Sequence, residues 1–358
     1  MPTPIRRVLR IVAALLIAGL AGAAASHLHL PLPWMLGPLF AIAILRTAGA
    51  RLDALPGGRQ AGQWAIGTAL GLYFTPAVLG ELGRHVVAIL LMAGSAVVFG
   101  LIAARLIERW GQVSAATAFF AGLPGGASEM VVLAERQGGA LDRVAAAHAL
   151  RVMLVVSLIP FALHHGASNG HESFRALAGS VDWLRFPLLV AASLAGVLLF
   201  AKLRIANAWV LGPLLIVGGL TAASLPLSSL PGWLVNSGQL LLGTALGTRF
   251  SPAFFRAAPR FLGVSALATG LTLLLCALFV AGLGQLIAIP VPSLLLASSP
   301  GGMAEMSITA REMHLSVPLV TATHVLRVVL LTVCAPLLCR HYLAWREKQF
   351  TPTKGDQS

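Results

Sequence analysis

The chain has 358 residues, of which 57% are hydrophobic and only 10% charged, and its mean hydropathy is +0.86. A soluble globular domain carries about 25% charged residues, so that class is excluded. The net charge of +13 does not describe a nucleic-acid surface, because the arginines fall in short clusters between apolar segments, as cytoplasmic loops do under the positive-inside rule.

In chain order, Arg6, Arg7 and Arg10 precede an apolar run ending near Ala23–Ser26, a pattern that resembles a secretory signal. A matching run, Phe186–Ala201, stands at the equivalent place in the second half, so the first run reads as a membrane span. Val86–Ala104 holds 19 residues without a charge, and Ile205–Thr248 and Phe261–Ala304 hold 44 each. About 20 apolar residues cross the hydrocarbon layer as a helix, so each longer run suffices for two crossings. The alternation of a barrel strand is absent, and an all-α integral membrane fold follows. Full apolar segments are expected near 10–26, 33–49, 61–80, 85–104 and 143–163, then 186–201, 208–224, 233–250, 261–283 and 316–338. Two further segments, 113–135 and 290–312, are interrupted by Pro-Gly-Gly. The implied divisions are a first membrane repeat (1–165), a central extracytoplasmic loop (166–184), a second membrane repeat (185–339) and a cytoplasmic tail (340–358).

The chain repeats itself at an offset of 175 or 176. Trp34-Met-Leu-Gly-Pro-Leu recurs from Trp209, and Gly62-Gln-Trp-Ala-Ile-Gly-Thr-Ala-Leu-Gly recurs from Gly238. Pro124-Gly-Gly-Ala-Ser-Glu-Met recurs from Pro300, and His148-Ala-Leu-Arg151 recurs as His324-Val-Leu-Arg327. If each interrupted segment enters and returns, the second unit is upside down relative to the first. With the N-terminus inside, 19 of 25 Lys and Arg residues then face the cytoplasm and 4 face outside. If the interrupted segments cross, the split is 14 against 9, so the charge bias favours inverted repeats. Both termini are then cytoplasmic.

Interrupted segments in corresponding positions of inverted repeats point to a binding site near the midplane. Pro124, Gly125 and Gly126, with Pro300, Gly301 and Gly302, supply backbone that lacks a donor or tolerates close approach of a ligand. Glu129 and Glu305 follow the second glycine by three residues, where a carboxylate either caps a half-helix or serves as a proton or cation site. His148 with Arg151, and His324 with Arg327, each share one helix face. Each Arg either pairs with a Glu to hold the interrupted segment or grips an anionic solute. For the histidines, packing or a backbone hydrogen bond competes with proton relay. Two His and two Glu would suit iron or copper only if the repeats converge, and no tight ligand cluster is present. His164, His165 and His171 read as solvated loop residues. Gln63, Gln239, Thr68 and Thr244 read as interhelical packing groups or as the lining of a path. Cys276, Cys334 and Cys339 form no CxxC pair, which implies neither a disulfide framework nor a structural metal. No cofactor motif and no DNA-reading element appears.

The paired Pro-Gly-Gly-x-x-Glu-Met and His-x-x-Arg segments resemble the bacterial AbrB membrane-protein duplication family, over nearly the whole chain. That family is distinct from the small soluble DNA-binding protein of the same name. Its members are described as regulators of gene expression, and many carry an ammonia monooxygenase label. More loosely, five spans plus a Gly-Gly re-entrant segment, inverted and repeated, is similar to the citrate and glutamate sodium-symporter class. That analogy implies tips at Pro124–Gly126 and Pro300–Gly302 meeting at the midplane, with Glu129, Glu305, Arg151 and Arg327 near the substrate or its coupling ion. The leading expectation is an ion-coupled secondary transporter of a small anionic solute. A membrane sensor or indirect regulator of gene expression is the alternative, and an ammonia-oxidising enzyme stands behind both. The partners expected are the bilayer and a small solute or ion, with no direct nucleic acid and with homo-oligomerisation left open.

Overall fold

The computed structural model describes residues 4–166, 180–205, 207–225 and 227–350. Most of the expected central loop, with His171, and the tail beyond 350 lie outside the described residues, as do the side chains of His164 and His165.

Every regular element among the described residues is a helix. The first half contains α1 (Pro4–His27), α2 (Pro33–Thr47), α3 (Gly58–Gly71), α4 (Pro76–Arg84), α5 (Val86–Trp110), α6 (Ala115–Gly122), α7 (Ala127–Arg136) and α8 (Leu141–Gly166). The second contains α9 (Phe186–Lys202), α10 (Ala208–Ala222), α11 (Gly232–Gly247), α12 (Pro252–Ala257), α13 (Pro259–Leu283), α14 (Val291–Ser298), α15 (Met303–Glu312) and α16 (Val317–Phe350).

Among the described residues five stretches are long and apolar enough to cross a bilayer: Ile5–His27, Val86–Trp110, Leu141–Leu163, Pro259–Leu283 and Val317–Arg346. The other expected full-length segments are shorter or bent. The segment expected at 61–80 turns by 86° between α3 and α4, and only as one bent pair does it count as a sixth span. Thr75 is extended (φ −71°, ψ 162°), its hydroxyl caps the Val78 amide at 3.4 Å, and Pro76 opens the new helix. The residue before a proline disfavours helical backbone, so the apolar run breaks there although its hydropathy continues. Helices α2 and α10 hold 15 residues each and begin after left-handed Leu32 and Asn207. At 1.5 Å per residue they span about 22 Å, short of a ~30 Å hydrocarbon layer.

The helices pack in two groups. One comprises α1, α2, α3, α9, α10 and α11, in which α2 lies on α11 and α3 on both α10 and α11. A β-carbon on Gly62 would strike the Gly238 carbonyl, so α3 and α11 cross almost backbone to backbone. The second group comprises α5 to α8 and α13 to α16.

Side-chain bonds fix which helix ends coincide. The Ala140 amide, just before α8, donates to Thr117 Oγ1 in the first turn of α6 at 2.9 Å. Arg143 donates to the Gln112 carbonyl ahead of α6 at 3.3 Å. The far end of α7 therefore comes back to the end where α6 began. The Ser316 amide, before α16, donates likewise to Ser293 Oγ in the first turn of α14 at 3.2 Å. Arg260, opening α13, donates to the carbonyl of Trp110, the last residue of α5, at 2.9 Å. Since α13 runs 25 residues (about 37 Å) away from that point before α14 starts, the α6–α7 and α14–α15 pairs begin at opposite ends of the bundle.

Large apolar side chains such as Leu16, Leu198, Leu278 and Val333 are exposed, and the polar Gln239, Thr244, Arg151, His324 and Arg327 are buried within a largely apolar core. Exposed apolar side chains and buried ionisable ones together fit a protein solvated by lipid.

Candidate functional site

The interruptions fall where the sequence marks them, at Leu123–Gly126 between α6 and α7 and at Ser299–Gly302 between α14 and α15. A helix that stops in the interior leaves its last carbonyls without intrahelical donors. Those of α6 and α14 are met by the two His-x-x-Arg motifs. His148 Nε2 donates to the Phe120 carbonyl at 3.0 Å. Arg151 Nη1 donates to Leu123 O at 2.9 Å, and its Nη2 donates to Ala121 O. In the second half His324 Nε2 donates to Leu296 O at 3.0 Å, and Arg327 donates to Ser299 O and Gly301 O at 2.5 Å each. A cation at a helix C-terminus also opposes the negative end of the dipole.

These bonds give both arginines backbone partners. Among the described residues no ion pair joins Arg151 or Arg327 to Glu129 or Glu305; the guanidinium groups hold backbone instead. His324 Nε2 carries the proton it donates, and its Nδ1 accepts from Arg327 at 3.1 Å, so both ring nitrogens are engaged. Both histidines thus bond the backbone of a break.

Past each break the new half-helix presents its amides. Gly126 and Gly302 are the N-caps of α7 and α15 and provide no side-chain cap. A β-carbon on either glycine would land on Oε2 of Glu129 or Glu305, so each carboxylate curls back over its own break. Glu129 Oε1 also accepts from Asn207 Nδ2 at 3.4 Å.

The two breaks meet at a cavity of about 90 Å³, roughly the volume of three waters at ~30 Å³ each. Of the residues marked in the sequence, Gly125, Gly126, His148, Arg151, Pro300, Gly301, Gly302, Glu305 and Arg327 line it. Pro124 packs behind, against Gly100. His324 is fully buried off the cavity, and Glu129 faces a separate groove of about 510 Å³ with Arg136 and Arg204. Gln63 lines the cavity, whereas Gln239 bonds Glu312 across helices, and the Thr68 and Thr244 hydroxyls bond carbonyls of their own helices. The motifs did not disclose Arg59 and Asn207, which complete the lining from the first helix group. The lining thus carries three guanidinium groups, of Arg59, Arg151 and Arg327, and one carboxylate, Glu305, with Arg151 and Arg327 engaged by carbonyls of the breaks. Among the described residues no three His, Cys, Asp or Glu side chains gather as metal ligands would, and the three cysteines are free.

The long apolar helices with their buried polar interior define a polytopic α-helical membrane protein. Residues 34–343 match the family described as transition state regulatory protein AbrB, and the chain belongs to that family. It is 26% identical over 333 residues to the Escherichia coli (strain K12) protein named "Putative regulator AbrB", covering 90% of this chain and 93% of that one. It is 25% identical over 362 residues to "Uncharacterized protein YhjN" of Bacillus subtilis (strain 168), covering 93% of each.

Proposed function

We propose that this protein is a secondary transporter of a small anionic solute, driven by an ion gradient, and that the cavity between the two helix breaks is its solute site. The observation that carries the reading is the convergence on one cavity of two interrupted segments that begin at opposite ends of the bundle. The recurrence of the motifs at 175 or 176 residues supports a duplicated, inverted architecture with re-entrant hairpins. The end shared by α5 and α13 carries Arg105, Arg109 and Arg260, and the positive-inside rule makes that end cytoplasmic. Unwound backbone inside a bilayer is tolerated where it is buried in protein or lines a cavity, as both breaks do. Arg59, Asn207 and the free amides of α7 and α15 would hold a carboxylate, while Glu305 gives a cation or proton a place beside it.

The test is uptake of radiolabelled acetate, succinate and citrate into proteoliposomes under an imposed sodium or proton gradient. Gradient-dependent accumulation of one of them supports the proposal. Binding without movement across the membrane supports the second reading, a membrane sensor, which the word "regulator" in the Escherichia coli relative's name favours. The monooxygenase reading is tested by metal analysis of the purified protein: absence of stoichiometric iron or copper would remove it.

A further inference from the structure

The two interrupted segments correspond residue for residue, yet they are packed unequally. In α15 seven of ten residues are buried, and in α7 only Met130 and Ala134 are. Helix α15 lies against α3 of the other helix group, whereas α7 has no comparable contact with α11. Two polar contacts hold α15 in place: the Tyr73 hydroxyl sits beside Arg311 and Glu312, and Gln239 Nε2 donates to Glu312 Oε1 at 3.3 Å. These contacts latch α15 to the first helix group.

The 176-residue offset carries Tyr73 onto Arg249, Gln239 onto Gln63, Arg311 onto Glu135 and Glu312 onto Arg136. The Tyr73–Arg311 pair becomes Arg249–Glu135, two opposite charges. The Gln239–Glu312 pair becomes Gln63–Arg136, an amide oxygen facing a guanidinium donor. Both translated pairs are chemically complementary, although three of the four residues differ in type from their counterparts. Neither pair is formed among the described residues. Glu135, Arg136 and Arg249 are exposed, and the open groove of about 510 Å³ runs beside α7 with Arg136 in its wall. Arg249 instead lies within electrostatic reach of another cation, Arg59, as well as of Glu305. Bringing Glu135 to Arg249 offsets that repulsion.

We infer that Arg249–Glu135 and Gln63–Arg136 form a second latch, which closes the end that is open here when the Tyr73–Arg311 and Gln239–Glu312 latch releases. The cavity then faces one end of the bundle at a time. This exchange needs the second group to move against the first as a body. The inference rests on the transport reading for its purpose, but the second latch is observable with no solute present.

The test uses membranes containing a variant in which Cys276, Cys334 and Cys339 are replaced. Glu135→Cys with Arg249→Cys, and separately Tyr73→Cys with Arg311→Cys, are exposed to a mild oxidant, and disulfide formation is read by mobility shift. Both pairs are expected to bridge above their single-cysteine controls. In the four-cysteine variant, bridging one pair is expected to abolish bridging of the other. Gln63→Cys with Arg136→Cys reads the second latch independently, should the first pair perturb folding. Bridging of 73–311 with none at either 135–249 or 63–136 overturns the inference and leaves a single fixed arrangement. Simultaneous bridging of both ends also overturns it. Alternating bridges without solute uptake would retain the two latches and remove the transport reading.

Discussion

The amide of Ala140 donates to the hydroxyl of Thr117 at 2.9 Å, which ties the exit of α7 to the entrance of α6. Ser316 with Ser293 repeats the bond in the second half. Thr117→Val keeps the shape and removes the acceptor. It is expected to cost about 1 kcal/mol, read as a lower unfolding temperature in detergent. An unchanged temperature would mean that the hairpin is held by packing alone.

Arg151 and Arg327 act as positioning residues for the breaks. Arg151→Ala frees two buried carbonyls, at about 1–3 kcal/mol each, and should depress thermal stability sharply. Arg151→Lys is not expected to rescue it, because an ammonium lacks the planar fork that spans Ala121 and Leu123. Full thermal stability in Arg151→Ala, with solute handling lost, would instead make this arginine a solute ligand.

The carboxylates are not equivalent. Glu305 lines the cavity and Glu129 faces the side groove. Glu305→Gln is expected to lower gradient-driven uptake at least tenfold, and Glu129→Gln much less, with expression retained in both. Equal loss in the two variants would place both at the solute site, and normal uptake in both would remove the carboxylates from the mechanism.

Gly126 and Gly302 leave room for a curled carboxylate. Gly302→Ala drives its β-carbon onto Glu305 Oε2 and should impair uptake as Glu305→Gln does, while thermal stability falls by less than in Arg151→Ala. Wild-type uptake in Gly302→Ala would show that the Glu305 side chain can leave the break without consequence.

Much of this arrangement is legible in the sequence, because the breaks and their partners are written twice. Pro-Gly-Gly locates both interruptions, and the spacing from each break to its His-x-x-Arg motif is the same in the two halves. The carbonyl partners of the arginines were also accessible in principle. A helix stopped inside a protein needs donors for its last carbonyls, and an arginine one helix away supplies two. The bend after α3 was not legible from hydropathy, since 61–80 stays apolar through it; Thr75-Pro76 and Ser251-Pro252 were the available signals. Arg59 escaped self-comparison for a different reason. Its counterpart at the same offset is Val235, so no motif marks it. The unequal packing of α7 and α15 has no signal in the motif the two segments share.

On the transport reading the two hairpins enter from opposite faces of the membrane to build one site. In the variant lacking native cysteines, Gln112→Cys marks the entrance of the first hairpin and Leu286→Cys, at a position 84% exposed, marks that of the second. Each is probed with an impermeant thiol reagent on intact cells and after permeabilisation. Leu286→Cys is expected to label in intact cells and Gln112→Cys only after permeabilisation. Labelling of both from the same face would contradict it, and the shared cavity would lose its basis as a two-sided solute site.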